Sequence, residues 1–299
     1  MRFLVVGAGG VGGYLGARLI AAGQDVQIVA RGPHAAALAQ HGLLIHGPKG
    51  EERVPVGTPV EAKALRGTFD VVLLAVKWPG LSDACDELAR VLAPDGVVLP
   101  LLNGLSSEDV VASYVGAQRT LAAVAYMSAG LTGPGEIYAH GNTRIGLAAY
   151  RPGQDALLEQ LTKLFSAAGV PVRVHGDYRA MLWEKMVWNA PFNAICALAD
   201  KSAGAVVEAQ PQLVRDAMLE VIRVARADGV TIVDALADMM LQVTRSEYAQ
   251  TEPSMLQDLR AGRATEVDIL QGAVAERAAA LGVEAPIMKT LAALIRAAS

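Results

Sequence analysis

Short apolar runs recur through the first half of the chain, and segments with apolar residues at helical spacing lie between them. Four of the runs are almost wholly apolar, at residues 3–6, 26–29, 70–76 and 96–102. Such continuous runs are typical of parallel strands covered on both faces. Between the first two, YLGARLIAAG has the periodicity of an amphipathic helix. The alternation predicts a parallel sheet with helices packed against it.

Two further apolar runs, at residues 120–125 and 144–147, flank the glycine-rich segment GLTGPGEIYAHGN. Their spacing predicts a hairpin-like extension of the sheet. Beyond residues 171–177 the pattern changes, and runs such as LVRDAMLEVIRVARADG carry apolar residues at helical spacing and stop at a glycine. Five helices are predicted there, at residues 179–196, 212–228, 232–241, 266–281 and 286–298.

The segment GAGGVGG follows the first apolar run and leads into the first helix. Its glycines Gly7, Gly9 and Gly12 fit G-x-G-x-x-G in the strand–helix context that a dinucleotide site requires. The first glycine makes the turn, the second lets a pyrophosphate approach, and the third lets helix pack on strand. The alternative is a tight turn without a ligand. We expect six residues to hold the phosphates: Gly7, Ala8, Gly9, Gly10, Val11 and Gly12.

The fold class predicted by these patterns is α/β, with a Rossmann-type, mostly parallel sheet domain followed by an all-α helical domain. The change of pattern places the dinucleotide-binding domain at residues 1–173 and the helical substrate domain at residues 174–299. Two such domains form a cleft, which is a usual place for a substrate.

The end of the second strand indicates which dinucleotide binds. An NAD site usually has an acidic residue there, which accepts from the ribose 2′-hydroxyl. Here Arg31 follows the strand, and a guanidinium suits a 2′-phosphate because it donates in a planar fork. We therefore expect NADPH, with a solvated loop arginine as the alternative. His34 could add to this pocket, although a surface position is the simpler expectation.

Lys77 and Asn103 follow two later strands of the predicted sheet. Ligands of an open α/β sheet bind beyond the carboxyl ends of its strands. Because the two residues occupy equivalent places, we expect them to contact the cofactor or the substrate. Either one alone would be an ordinary polar residue at a strand end.

The predicted helix at residues 179–196 carries a polar stripe in apolar surroundings. Lys185, Asn189 and Asn193 stand four residues apart, so they drift by only about 80° around the helix in all. Trp183 and Val187 point the opposite way, into the domain. A solvated stripe usually mixes charges of both signs. One cation and two amides favour a site for a small polar anion instead.

Composition excludes several classes of function. The chain has 299 residues, of which 53% are hydrophobic, enough for large cores. A net charge of −4 argues against a nucleic-acid partner, and no apolar run reaches the roughly 20 residues of a membrane span. Two distant cysteines, Cys85 and Cys196, predict free thiols and no metal site. We expect a cytoplasmic protein that binds a small molecule, and the sequence leaves a homodimer open.

The stripe and a later block carry a resemblance to a known family. WEKMVWNAPFN resembles the W-x-K-x-x-x-N-x-x-x-N helix of the ketopantoate reductases (2-dehydropantoate 2-reductases). PSMLQDLRAGRATEVD, residues 253–268, is similar almost position for position to that family's P-S-M-x-Q-D-x-x-x-G-R-x-T-E-[IV]-D. GAGGVGGYLGARL, Arg31, Lys77 and Asn103-Gly104 fall in the family's order. The resemblance covers nearly the whole chain, and the later block is highly specific.

The resemblance implies a reaction and roles for individual residues. NADPH would deliver hydride to the ketone carbon of 2-dehydropantoate, a branched 2-oxo acid, giving (R)-pantoate for pantothenate and coenzyme A. Lys185 would be the general acid, and Glu266 would contact the developing hydroxyl and the cofactor. Asn103 would help to place both substrate and nicotinamide. Three further residues would hold the substrate: Asn189, Asn193 and Ser254.

The chemistry supports these implied roles. Hydride transfer to a ketone creates an alkoxide, which a positioned cation stabilises and protonates. Lysine can do both if partial burial lowers its pKa toward neutral pH, and a nearby Glu266 carboxylate would oppose that lowering by favouring the charged form. Whether Lys185 transfers the proton or mainly orients the carbonyl stays open. The alternative for Glu266 is a structural role, as a carboxylate favoured at a helix N-terminus. A structural role suits Arg263 and Asp268 better than it suits Glu266.

Two departures from the family concern the substrate. Trp78-Pro79-Gly80 follows Lys77 where a small residue and then a glutamine or acid are more usual, and Leu102 stands where glutamine is common. They keep open a reductase of another branched 2-oxo acid on the same fold. A non-catalytic NADP-binding protein is the alternative from another class. The presence of all the implied polar residues argues against it.

Overall fold

A computed structural model of the protein describes residues 1–48 and 50–299 and, at Asn142, the backbone alone. Within these residues the chain divides into two compact units. The N-terminal unit comprises Met1–Leu102 and Ser106–Tyr178, and the C-terminal unit comprises Asn103–Leu105 and Arg179–Ser299. The predicted α/β class is confirmed, with a parallel-sheet unit followed by a helical one.

Strands and helices alternate through most of the N-terminal unit. Its strands are β1 (Arg2–Val6), β2 (Asp25–Val29), β3 (Leu43–Gly47), β4 (Gly50–Val54), β5 (Phe69–Leu74), β6 (Leu92–Pro100), β7 (Leu121–Gly133), β8 (Glu136–Ala149) and β9 (Val172–His175). Its helices are α1 (Gly10–Ala21), α2 (Gly32–His41), α3 (Leu81–Val91), α4 (Ser107–Val115) and α5 (Asp155–Ala167).

The first sheet is parallel, with the strand order β2-β1-β5-β6. The central strand β1 pairs Val5 with Ile28 on one side and with Leu73 on the other. These three side chains are almost completely buried, because helices cover both faces of a parallel sheet. The four apolar runs therefore form the sheet that their pattern predicts.

The predicted hairpin is longer than its apolar runs suggested, and it belongs to a second sheet. β7 and β8 pair antiparallel on either side of the turn at Pro134 and Gly135. This second sheet has the order β4-β3-β8-β7, with β9 also paired to β8. An isolated parallel bridge joins Val98 of the first sheet to Thr120, the residue before β7. Three of the four glycines that suggested a loop, Gly130, Gly133 and Gly141, are accommodated within the strands. At Gly130 the cross-strand ring of Tyr138 fills the space that a side chain would occupy.

Helices account for nearly all the regular structure of the C-terminal unit. They are α6 (Tyr178–Ala199), α7 (Ala203–Ala209), α8 (Pro211–Ala227), α9 (Ala235–Ser246), α10 (Ser254–Arg260), α11 (Ala273–Ala280) and α12 (Pro286–Ala298). The five predicted helices are present with shifted ends. The predicted helix at residues 266–281 begins as a π-helical turn at Asp268–Gly272. The short helices α7 and α10 were not predicted, since each is only seven residues long.

One face of α6 forms the centre of the helical core. Trp183 and Val187 are 2% and 0% exposed, as the spacing predicted. The indole Nε1 of Trp183 donates to Oδ2 of Asp228 at 3.0 Å, which satisfies the one polar group of that buried ring. Along the described part of the chain, no helix is long and apolar enough to cross a membrane.

Both cysteines are buried free thiols, as predicted. Burial, with a smaller contribution from the neighbouring Asp86 carboxylate, raises the pKa of Cys85 to about 11. Burial alone raises the pKa of Cys196 to about 12. Because the thiolate is the reactive form, a raised pKa argues against a nucleophilic role for either cysteine.

Candidate active site

The glycine loop between β1 and α1 has the shape that a dinucleotide requires. Gly7 has a φ of +99°, and a side chain there would collide with the carbonyl of Ala75. A side chain at Gly12 would collide with the backbone of Gly7. At Gly9, by contrast, an added Cβ would meet no atom within 4 Å. Two glycines are thus required by the packing of the loop, and the third leaves open space beside it.

The start of α1 suits an anion. The helix begins at Gly10, directly after the open position at Gly9, and its first turn contains no acidic residue. Free N–H groups and the positive end of the helix dipole attract phosphate at such a terminus. The residues present therefore fit the diphosphate of a nicotinamide dinucleotide.

Two cations follow strands of the same parallel sheet. Arg31 precedes the first residue of α2, two positions after β2 ends, and its side chain is exposed. Lys77 follows β5 by three positions and is also exposed. Because β1, β2 and β5 run parallel, their carboxyl ends lie at one edge of the sheet. Arg31 and Lys77 thus follow strands at the edge where the glycine loop begins.

A chain of hydrogen bonds joins five of the predicted site residues within the C-terminal unit. The amide of Asn103 donates to Oε2 of Glu266 at 2.9 Å, and its oxygen accepts from Nδ2 of Asn189 at 3.3 Å. The backbone oxygen of Asn189 accepts from Nδ2 of Asn193 at 3.0 Å. Oδ1 of Asn193 accepts from the hydroxyl of Ser254 at 3.3 Å. We call Glu266, Asn103, Asn189, Asn193 and Ser254 the polar chain.

Asn193 differs from the rest of the polar chain because it is only 3% exposed. Its Oδ1 accepts a second hydrogen bond, from the backbone N–H of Met255 at 3.1 Å. That N–H lies in the first turn of α10, where backbone donors have no partner within the helix. Asn193 therefore caps α10 from a neighbouring helix and fixes Ser254 at its first position.

Lys185 lies on α6 one turn before Asn189, and both side chains are partly exposed. They share the side of the helix opposite the buried Trp183 and Val187. The two-faced character predicted from the spacing is therefore confirmed for these four residues. Asn193 is the exception, because the packing of α10 covers it.

Sequence analysis missed Gln271, which fixes one end of the polar chain. Gln271 lies in the π-helical turn after Glu266, is 0% exposed, and donates from Nε2 to the backbone oxygen of Ala190 at 2.6 Å. This bond ties the segment after Glu266 to α6 next to Asn189. A π-helical turn has no clear sequence signature, and such turns are frequent at functional sites.

Arg263 and Asp268 have structural roles, as expected. Arg263 donates from Nε to Oδ1 of Asp258 at 2.7 Å, and Asp268 accepts from Arg296 at the same distance. Among the residues that the structure describes, no group of three or more His, Cys, Asp or Glu side chains is arranged to hold a metal ion.

Two of the residues that depart from the family pattern, Leu102 and Trp78, pack in or against the core of the N-terminal unit. Leu102 is 5% exposed and belongs to the apolar cluster formed around β5, β6 and α3. Trp78 is partly buried and packs against the same cluster. Their apolar character is therefore explained by packing.

Comparison with known proteins decides which family carries this arrangement. A family model described as "Ketopantoate reductase PanE/ApbA" matches residues 3–152, and its C-terminal counterpart matches residues 177–299. The chain belongs to the ketopantoate reductase family. Among curated ketopantoate reductase relatives, the 2-dehydropantoate 2-reductase of Halobacterium salinarum is 33% identical over 100% of this chain and 99% of its own.

Solved structures show the same ketopantoate reductase fold. The 2-dehydropantoate 2-reductase of Geobacter metallireducens matches with a TM-score of 0.93 and 33% identity, covering 100% of both chains. A D-mandelate dehydrogenase, solved with NADH and anilino(oxo)acetate, matches with a TM-score of 0.92 at 22% identity, over 100% of this chain and 98% of its own. At that identity the likeness shows the fold alone.

Proposed function

We propose that the protein reduces 2-dehydropantoate to (R)-pantoate with NADPH as the reductant. The observation that carries the proposal is the polar chain from Glu266 to Ser254, found in a member of the ketopantoate reductase family. Relatives named 2-dehydropantoate 2-reductase support the choice of substrate. In this proposal residues 1–173 bind the cofactor and residues 174–299 bind the substrate.

The N-terminal unit would hold NADPH, which supplies the hydride when bound. The open position at Gly9 and the N–H groups at the start of α1 would hold the diphosphate. Arg31 would bind the 2′-phosphate in a forked contact, and Lys77 would add positive charge at the same sheet edge. Asn103 and Glu266 would contact the nicotinamide end.

The C-terminal unit would hold the 2-oxo acid and protonate its oxygen. Lys185 would stabilise the alkoxide with its ammonium group and donate the proton. Asn189 and Ser254 would donate to the substrate carboxylate or hydroxyl. We predicted from the sequence that Asn193 binds substrate; because it is buried and already shared by two donors, we propose that it acts by positioning Ser254.

A substrate panel tests the proposed function. Steady-state rates would be measured with NADPH and with NADH on 2-dehydropantoate and on 2-oxoisovalerate. We expect the highest kcat/KM for 2-dehydropantoate with NADPH. A higher kcat/KM for 2-oxoisovalerate would favour the reductase of another branched 2-oxo acid. NADPH binding without oxidation by any 2-oxo acid would favour a non-catalytic binding protein.

Arg31→Ala is expected to raise the Kd for NADPH by about tenfold to a hundredfold, because a hydrogen bond between charged groups is lost. The Kd for NADH should change by less than about twofold, because NADH lacks the 2′-phosphate. Fluorescence titration of both dinucleotides measures the two constants. Arg66→Ala, an exposed arginine of the same unit, serves as the matched control. An equal rise in the Kd for NADPH and for NADH would show that Arg31 does not recognise the 2′-phosphate.

A further inference from the structure

His34 on α2 was expected at the surface, but its ring joins two separate parts of the N-terminal unit. Nε2 lies 2.9 Å from the backbone oxygen of Ala8, in the glycine loop. Nδ1 lies 3.0 Å from the backbone nitrogen of Gly135, in the turn between β7 and β8. The side chain is partly buried between them.

These two contacts fix the proton on the ring. A backbone N–H only donates, so Nδ1 of His34 must accept the hydrogen bond from Gly135 and carries no proton. The neutral ring then bears its proton on Nε2, which donates to the oxygen of Ala8. Both ring nitrogens are used within the protein, so no ring nitrogen is left to bind a phosphate.

The contact with Ala8 restricts the phosphate-binding loop directly. The peptide between Ala8 and Gly9 is planar and trans, so its C=O and N–H point in opposite directions. A carbonyl held by His34 therefore also sets the direction of the Gly9 N–H. Gly9 is the position with open space around it, immediately before α1.

The other contact supplies a rigid anchor. Gly135 has a φ of +76°, and a side chain there would come within 2.9 Å of the Cβ of Ala37 on α2. The turn is thus packed closely against the helix that carries His34. A loop tied to such an anchor is ordered before a ligand arrives, and less conformational entropy is lost on binding.

We propose that His34 is a positioning residue for the dinucleotide, which holds the glycine loop in its binding conformation through the Nε2–H tautomer. This role rests on the proposed function, because it assumes that the loop binds a nicotinamide dinucleotide. It acts at the diphosphate, which NADPH and NADH share. Loss of His34 therefore weakens the binding of NADPH and of NADH to the same extent, whereas loss of Arg31 weakens mainly the binding of NADPH.

The test compares His34→Phe, His34→Gln and His41→Phe with the wild-type protein. Phenylalanine keeps the ring and removes both hydrogen bonds, whereas glutamine can both accept from Gly135 and donate to Ala8. His41 is an exposed histidine on the same helix and provides the control. Fluorescence titration gives the Kd for NADPH and for NADH, and NMR gives the ¹⁵N shifts of the ring and the exchange rate of the Gly135 amide.

We expect His34→Phe to raise both dissociation constants by about tenfold, the effect of losing one or two hydrogen bonds. The Gly135 amide should exchange faster without any ligand, His34→Gln should recover most of the affinity, and His41→Phe should match the wild type. The wild-type ring should show a protonated Nε2 and an unprotonated Nδ1.

Several results would overturn the role. A loss of affinity confined to NADPH would make His34 part of the 2′-phosphate site. Unchanged dissociation constants despite faster exchange of the Gly135 amide would show that the contact with Gly135 does not serve binding. A ring protonated on Nδ1 would contradict the hydrogen bonds themselves. If the wild-type protein bound neither dinucleotide, the proposed function would fail together with this role. Normal wild-type binding with an unaffected His34→Phe would overturn this role alone.

Discussion

Replacing Lys185 by alanine is expected to lower kcat on 2-dehydropantoate by about 10²- to 10⁴-fold, the range typical of a lost general acid. The group acts mainly on the charge that develops as the ketone becomes an alkoxide, so kcat and kcat/KM should fall together. Its place on α6, one turn before Asn189 and the polar chain, motivates the prediction. Steady-state kinetics at saturating NADPH measures the effect.

Two companion variants separate a specific role of Lys185 from a general effect on charge. Lys201→Ala removes an exposed lysine just beyond the end of α6 and should leave kcat unchanged. Lys185→Arg keeps a cation that does not give up its proton. If kcat of Lys185→Arg falls nearly as far as kcat of Lys185→Ala, Lys185 is the proton donor. If Lys185→Arg recovers most of the wild-type kcat, the role of Lys185 is electrostatic. An alanine variant with wild-type kcat would refute both.

Glu108 is a buried carboxyl group that the proposed reaction does not use. It lies in the first turn of α4 and is 1% exposed. Oε2 accepts from the hydroxyl of Ser107 at 2.9 Å, and Oε1 has no hydrogen-bond partner among the described residues. Burial raises the pKa of Glu108 from 4.5 to about 7, against the opposing effect of the hydrogen bonds that it accepts.

Glu108→Gln is expected to stabilise the protein at pH 8 by on the order of 3 kcal/mol relative to pH 4. Below the unfolded-state pKa of 4.5, Glu108 is protonated in the folded and the unfolded state, so its ionisation does not change the free energy of unfolding. As the pH rises from 4.5 to about 7, the unfolded chain ionises while the folded chain holds its proton, so the wild type loses stability. Above about 7 the difference is constant. Glutamine is neutral throughout and removes this loss.

Thermal unfolding followed by circular dichroism at pH 4, 6 and 8 would measure the effect as the difference in Tm between Glu108→Gln and the wild type. Glu61→Gln changes an exposed carboxylate of the same unit and should show no such trend. A Tm difference that stays constant from pH 4 to pH 8 would show that Glu108 titrates at its ordinary value in the folded protein.

The two departures from the family pattern bear on the choice of substrate. Leu102 is buried in an apolar cluster, and Trp78 packs against the same cluster. Packing around the sheet accounts for both of these large apolar side chains. We therefore retain 2-dehydropantoate as the proposed substrate, and the substrate panel remains the direct test.

The sequence by itself determined the features that depend on local pattern. The glycine loop was predictable because its motif, three glycines at fixed spacing between a strand and a helix, lies within a few residues of chain. The parallel strands were predictable because burial on both faces demands continuous apolar runs. The two faces of α6 were predictable at Trp183, Lys185 and Asn189, because helical geometry fixes which residues share a side.

Only the tertiary structure decided the features that depend on residues far apart in the chain. Glu266 and Asn103 are 163 residues apart and are joined by a hydrogen bond between their side chains. Asn193 belongs to the polar stripe by spacing, yet the packing of α10 buries it and changes its role. His34 looks like a surface residue until the turn at Gly135 supplies its second partner. Periodicity determines which side of an element a residue occupies, but only the packing of another element determines what that side meets.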